Sequence, residues 1–229
     1  MRIKREWIET TPLFAGLSPS AIDEISGNLH SREIRAKTLF MSEEQSSPVV
    51  SIIAEGTVKI SVVRGTKELV INIVGAGEVL GEINLLDGQG HSADIMAIET
   101  TRLHWISSDT LHGIMLREPQ IGLNLGKILS RRLRLATARI EALALLDVPG
   151  RVAFQLLAFA REYGIRTPQG TRIPLTLSQG EIAGLIGATR TRVNQAIAKM
   201  KGAGVLLEDN QFYIVPDMDA LNRQFVQLV

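Results

Sequence analysis

Arg190, Thr191, Arg192, Asn194 and Gln195 crowd into six consecutive positions near the C-terminus, and each side chain has a natural partner on DNA. A guanidinium pairs in a fork with guanine O6 and N7, a carboxamide with adenine, and a threonine with a phosphate or a thymine methyl. The segment also reads as a helix start: Thr189 is a good N-cap, and Val193, Ile197 and Met200 recur at helical spacing as the buried side. Two cations at a helix start are unfavourable by roughly 0.3–1 kcal/mol each unless an anion faces them. A phosphate backbone would supply that anion.

The preceding residues supply a scaffold for this helix. Ser178 followed three positions later by Glu181 has the form of a capping box. Ile182, Leu185 and Ile186 give that first helix its apolar face, and Ala183 is small enough for a second helix to cross closely. Gly187 suits the tight turn between them. Ala183, Gly187 and Val193 stand at helix-turn-helix spacing, which directs the second helix into a major groove. The candidate DNA contacts are therefore Ser178, Gln179, Thr189, Arg190, Thr191, Arg192, Asn194 and Gln195, with Ser178 assigned to a phosphate. The competing possibility is a helical unit that docks protein, attached to a nucleotide-binding module without DNA affinity. The outward arginine pair argues against it.

The chain has 229 residues, 45% of them hydrophobic and 21% charged, a balance that suits one or two globular domains. Its net charge of +1 conceals local excess. Residues 172–204 carry five cations against one acid, a balance of +4, and residues 127–139 carry five cations and no acid. Both stretches are expected to face a polyanion. There is no cysteine, which excludes disulfides, thiolate nucleophiles and cysteine-ligated clusters. His30, His91, His104 and His112 lack metal-ligand spacing, so no metal site is expected. No nucleophile–base pair or Walker loop is present, so an enzyme is not expected. No stretch reaches the roughly 20 apolar residues of a membrane span, and a cytoplasmic location is the expectation.

The elements follow from periodicity. Ser18 and Pro19 open a helix with Ile22, Ile25 and Leu29 on one side. From about Ile34 to Ile106 short apolar runs are punctuated by glycine, and Val58, Ile60 and Val62 alternate with polar residues as a half-buried strand requires. Such a series predicts an antiparallel β-roll or jelly roll. Pro119 then opens a helix to about Leu146, about 40 Å long at 1.5 Å per residue. Leu125, Leu129, Leu133, Ala136, Ile140 and Leu143 wind an apolar stripe along it, which predicts the seam of a homodimer. Asp147 and Pro149 start another helix that Gly164 ends, and two strands around Asp209 and Asn210 make a wing. The fold class is α+β. The expected division is an effector domain over 1–118, a dimerisation helix over 119–146 and a winged helix-turn-helix domain over 147–229.

At full length the chain resembles the catabolite-activator/FNR-type (CRP/FNR) family of bacterial transcription regulators. The resemblance rests on "PLFAGLS", "EGTVKI", "GEVLGEINLLDG", the long basic helix ending in "LLDVPGRVAFQLL", and "LSQGEIAGLIGATRTRV", in that order. It implies a homodimer that binds a pseudo-palindromic operator on double-stranded DNA under effector control, and contact with RNA polymerase if it activates. It also implies a cyclic AMP cassette, with Gly81 and Glu82 at the ribose, Ser92 at the phosphate, and Thr137 as the retained one of two hydroxyl positions that close over the base. His91 stands where the family's cyclic AMP binders place the phosphate arginine. A neutral imidazole cannot reproduce that charged, forked contact.

Overall fold

The structure is a computed structural model and describes residues 3–43 and 48–226. Contacts divide the chain into two compact units, the first running to Val63 and resuming over Ile73–Arg134, the second comprising Arg64–Asn72 and everything from Leu135 onward. These units part inside the long helix and not at its end near residue 146. Ala142 and Leu146 are buried, and Arg139 hydrogen-bonds Gln155, so the last turns of that helix belong with the C-terminal unit.

In the first unit, α1 (Arg5–Thr10) and α2 (Pro19–Asn28) precede strands β1 (His30–Ile34), β2 (Leu39–Met41), β3 (Val49–Glu55) and β4 (Val58–Arg64). Ser18 caps α2 by accepting from the Ala21 amide. Next come β5 (Lys67–Val74), β6 (Val79–Leu80), the one-turn helix α3 (Glu82–Asp87), β7 (Asp94–Ala97), β8 (Thr101–Ser107) and α4 (Ser108–Arg117). Two four-stranded sheets result, ordered β1-β8-β3-β6 and β2-β7-β4-β5. Their registers are antiparallel, with Ser51 opposite Trp105 and Arg32 opposite Leu103.

The two faces of β3 explain its nearly unbroken apolar run. Ile53 joins Ile34, Met41, Val58, Ile95 and Leu103 in the core of the roll. Val50 and Ile52 face the other way, into a second core with Ile8, Phe14, Ile25, Leu111 and Ile121. A strand covered on both sides cannot alternate apolar with polar residues.

Helix α5 (Pro119–Leu145) runs through both units. In the first unit Ile121, Leu125 and Ile128 are buried in the helical core. The opposite side presents Leu123, Gly126, Ser130, Leu133, Thr137, Ile140 and Ala144, none of them buried. Their 3-4-3-4-3-4 spacing averages 3.5 residues, the repeat of a coiled-coil seam. This bears on the predicted seam: Leu125 is only 1% exposed and so has no face to offer a second chain, while Leu129 is half-buried against the same core. Leu133 and Ile140 remain open, as do Ala136 and Leu143.

The second unit continues with α6 (Val148–Tyr163), β9 (Ile165–Thr167), β10 (Gly170–Arg172), α7 (Gln179–Ile186), α8 (Arg190–Gly202), β11 (Leu207–Asp209), β12 (Phe212–Val215) and α9 (Met218–Phe225). Helix α6 is the hub against which α7, α8 and α9 pack. Its apolar side buries Val152, Leu156 and Phe159. The four short strands form one sheet ordered β11-β12-β10-β9, in which the β11–β12 hairpin turns at Asn210 with a left-handed φ of 55°.

Burial pushes the pKa of His91 and of His104 below the ordinary histidine value, aided at His104 by the Arg102 charge. Folding therefore favours both neutral rings. Stability from this source is complete above about pH 6.5 and is lost as pH falls, because the unfolded chain takes up the protons first. Melting followed by circular dichroism should give a lower Tm at about pH 5.5 than at about pH 7.5. His104→Gln should shrink that difference, and an undiminished difference would exonerate His104.

Candidate nucleic-acid interface

The helix pair is built by local rules. Ser178 Oγ accepts from the Glu181 amide at 3.2 Å, and Glu181 Oε2 accepts from the Ser178 amide at 2.7 Å, completing the capping box. Gly187 ends α7 in the left-handed conformation, φ 63° and ψ 41°. Thr189 Oγ1 then caps α8 by accepting from the Arg192 amide. Val193, Ala196, Ile197 and Met200 of α8 are buried, as are Ile182, Ala183, Leu185 and Ile186 of the α7 helix it packs on.

With that side inward, Arg190, Thr191, Arg192, Asn194 and Gln195 all lie exposed, as do Ser178 and Thr189, while Gln179 is half-buried. All eight candidate residues thus fall at the caps and first two turns of α7 and α8. The two capping hydroxyls accept backbone N–H groups, which leaves each O–H free to donate to a phosphate. Gln179 Nε2 donates to Asn194 Oδ1 at 3.1 Å. That bond engages Asn194 Oδ1 and leaves both of its N–H donors unused by it. Gln195 makes no such bond among the described residues.

A groove of about 330 Å³ borders this surface, lined by Val148, Pro149, Arg192, Gln195 and Lys199. Lys199 and the first turn of α6 are absent from the sequence-derived set. Helices α6 and α8 are far apart along the chain, and only packing makes them neighbours. Lys199 Nζ also lies 5.6 Å from the Phe225 ring centroid, a cation–π contact that positions its charge at the groove. In the wing sheet, Arg172 stacks on Phe212 at 5.2 Å and Lys201 pairs with Glu208 at 2.7 Å.

In the other basic stretch, residues 127–139, three of the five cations are engaged within the protein, contrary to the expectation from its charge, while Lys127 and Arg134 are exposed. Arg131 donates to Glu78 at 2.6 Å, and Arg132 donates to Glu78, Glu82 and the Val79 carbonyl. Arg139 donates to the Ile71 carbonyl, Asn72 Oδ1 and Gln155 Oε1. Desolvation lowers its pKa to about 10, so it stays charged at neutral pH but is turned inward.

The cassette residues divide. Gly81 adopts φ 82°, where a Cβ would lie 2.6 Å from the Val49 carbonyl oxygen, so glycine is required by the backbone alone. Glu82 is 5% exposed. Burial raises its pKa, opposed by the Arg132 charge, and its carboxylate is occupied by that guanidinium. His91 is buried while Ser92 is exposed. Thr137 belongs to the second unit, so neither compact unit contains the whole set. Arg132 already neutralises the acid of this cassette, and the desolvated imidazole of His91 cannot make the charged, forked phosphate contact of an arginine.

Among the described residues no helix is long and apolar enough to cross a membrane, and no group of three or more His, Asp or Glu side chains converges as a metal site.

Comparison with known proteins bears on both units. Residues 150–224 match the family model of the Crp-like helix-turn-helix domain, and residues 31–118 match that of the cyclic nucleotide-binding domain. A CRP-like cAMP-activated global transcriptional regulator of Mycobacterium tuberculosis is 31% identical over 214 residues, 93% of this chain and 95% of the relative. The cyclic AMP receptor protein of Thermus thermophilus is 28% identical, covering 86% and 88%. In fold, the chain is similar to FixK2 from Bradyrhizobium japonicum, at a TM-score of 0.77 and 18% identity over 88% of this chain and 99% of that one. It is also similar to a CooA mutant from Carboxydothermus hydrogenoformans, at 0.70 and 24% over 90% and 89%.

Ser178→Ala should lower the unfolding free energy by about 1 kcal/mol, the usual worth of an N-cap, in a urea titration. Ser178→Asp should restore that stability, since a carboxylate also caps. It removes the O–H donor and adds a negative charge, so DNA affinity should fall at every site alike. Unchanged DNA affinity in Ser178→Asp would remove Ser178 from the interface.

Proposed function

We propose, from the premise that this chain belongs to the CRP/FNR-type family of transcription regulators and is a DNA-binding regulator, that it acts as a homodimer reading a pseudo-palindromic operator with α8. The observation that carries the proposal is the exposed set Arg190, Thr191, Arg192, Asn194 and Gln195 on a helix whose other side is buried. Ser178, Gln179 and Thr189 would hold the phosphates that set its register.

Dimerisation is assigned to the exposed heptad face of α5, around Leu133 and Ile140, which are 69% and 67% exposed. Large apolar side chains this exposed, at coiled-coil spacing, favour a second copy of the same helix. A two-fold dimer presents its recognition helices to successive major grooves roughly 34–36 Å apart. In this scheme residues 1–118 receive a signal, 119–146 join the protomers and 147–229 bind DNA. The signal works by favouring one of two dimer states. RNA polymerase is a further partner where the protein activates, and the cytoplasm is where it meets its operator.

Selection from random duplexes should return a two-fold symmetric site, whereas purely sequence-independent, fully salt-sensitive binding would count against the proposal. Arg190→Ala should cost roughly 1–3 kcal/mol at the selected site and relax preference at one base pair in each half. Unchanged affinity and preference would move the reading helix elsewhere. Ile140→Glu should leave the fold intact, produce monomers in sedimentation and abolish high-affinity operator binding. A persistent dimer would place the seam on another surface.

A further inference from the structure

The β-roll contains a second concavity, distinct in composition from the cassette at Gly81–Ser92. It is a slot of about 190 Å³ between the two sheets. Phe40 and Met41 of β2 form one side, and Leu103 and Trp105 of β8 form the other, with Ser51 of β3 and Arg32 of β1 beside them. Strand order places β8 between β1 and β3, so Arg32 and Ser51 flank the Leu103–Trp105 floor from opposite sides. Two strand spacings separate them, roughly 10 Å.

Two polar groups here have no partner among the described residues. Ser51 is 3% exposed and lines the slot, and its hydroxyl makes no hydrogen bond with them. Arg32 is exposed at the rim, and no carboxylate among the described residues pairs with it. The remaining walls are apolar, two of them aromatic, and Trp105 is held by its neighbour His30, the ring centroids 4.7 Å apart.

The dimensions and chemistry select a ligand class. An apolar cavity of about 150 Å³ accepts benzene, so this slot holds one ring with small substituents and is too small for a nucleotide. One guanidinium balances one negative charge; a dianion would leave charge uncompensated beside apolar walls. A guanidinium matches a carboxylate in a fork, and the hydroxyl on the far side matches a polar ring substituent. We infer that the slot formed by Arg32, Phe40, Ser51 and Trp105 binds a small aromatic monocarboxylate, with the carboxylate on Arg32, the ring between Phe40 and Trp105, and a ring hydroxyl toward Ser51. This inference does not depend on the DNA-binding scheme.

Isothermal titration calorimetry of the full-length protein with 4-hydroxybenzoate tests it. Saturable binding of one molecule per protomer is expected, at least tenfold tighter than 4-hydroxybenzyl alcohol, which has the same shape without the charge. Arg32→Gln, at an exposed position where folding is safe, should weaken 4-hydroxybenzoate at least tenfold and leave the alcohol unaffected. Ser51→Ala should weaken 4-hydroxybenzoate more than benzoate. Absence of saturable binding to the wild-type protein at millimolar ligand, equal affinity for acid and alcohol, or full affinity in Arg32→Gln would each overturn the assignment.

Discussion

The left-handed residue at Gly187 is the constraint on which the DNA-binding surface depends. Its φ of 63° lets α7 stop and α8 start within a few residues, and non-glycine residues adopt that conformation only at a steric cost. The reversal sets Val193, Ile197 and Met200 against α7. Once those three face inward, a period of 3.6 residues places Arg190, Arg192 and Gln195 outside. The outward set is thus a consequence of burial on the opposite side. The small side of Ala183 helps, since it is buried in the helix that α8 must approach.

Helix α5 illustrates a helix with two occupations. One stripe, including Ile121, Leu125 and Ile128, completes the core of the roll unit. The other leaves Leu133 and Ile140 exposed, at the 3.5-residue repeat of a coiled coil. Its arginines are also divided. Arg131 and Arg132 neutralise Glu78 and Glu82 within the first unit, and Arg139 is desolvated in the second. Carboxylates this deeply buried require such partners, because an unpaired charge there would be strongly unfavourable. The arginine that fills this need occupies Glu82 Oε1.

Gly81 shows how a motif outlives its chemistry. The residue is required because the chain passes so close to the Val49 carbonyl, whatever the pocket binds. Matching glycines and turns therefore report the roll, whereas His91 reports the ligand. The chain keeps the fold of a cyclic nucleotide-binding domain with a buried histidine at the phosphate position, and its slot at Arg32 and Trp105 lies on different strands.

Much of the architecture is legible because it is encoded locally. Capping by Ser18, Asp147, Ser178 and Thr189, the turns at Gly187 and Asn210, and the outward set on α8 follow from residue type and period within short stretches of chain. Short elements such as α1, α3 and α9 are too brief to display a helical period. Periodicity draws the dimer seam through Leu125 and Leu129 because it identifies an apolar stripe without saying what covers it. Charge counting likewise mistakes Arg131, Arg132 and Arg139 for an open cationic face, since their acidic or amide partners mostly lie far away in the sequence. The sequence by itself determined the helix-turn-helix, the roll and the outward set on α8, through short-range sterics and hydrogen bonding. Only the tertiary structure decided which arginines are spent inside the protein, which face of α5 is free, and that Lys199 meets the start of α6, because those facts depend on contacts between distant segments that no local period records.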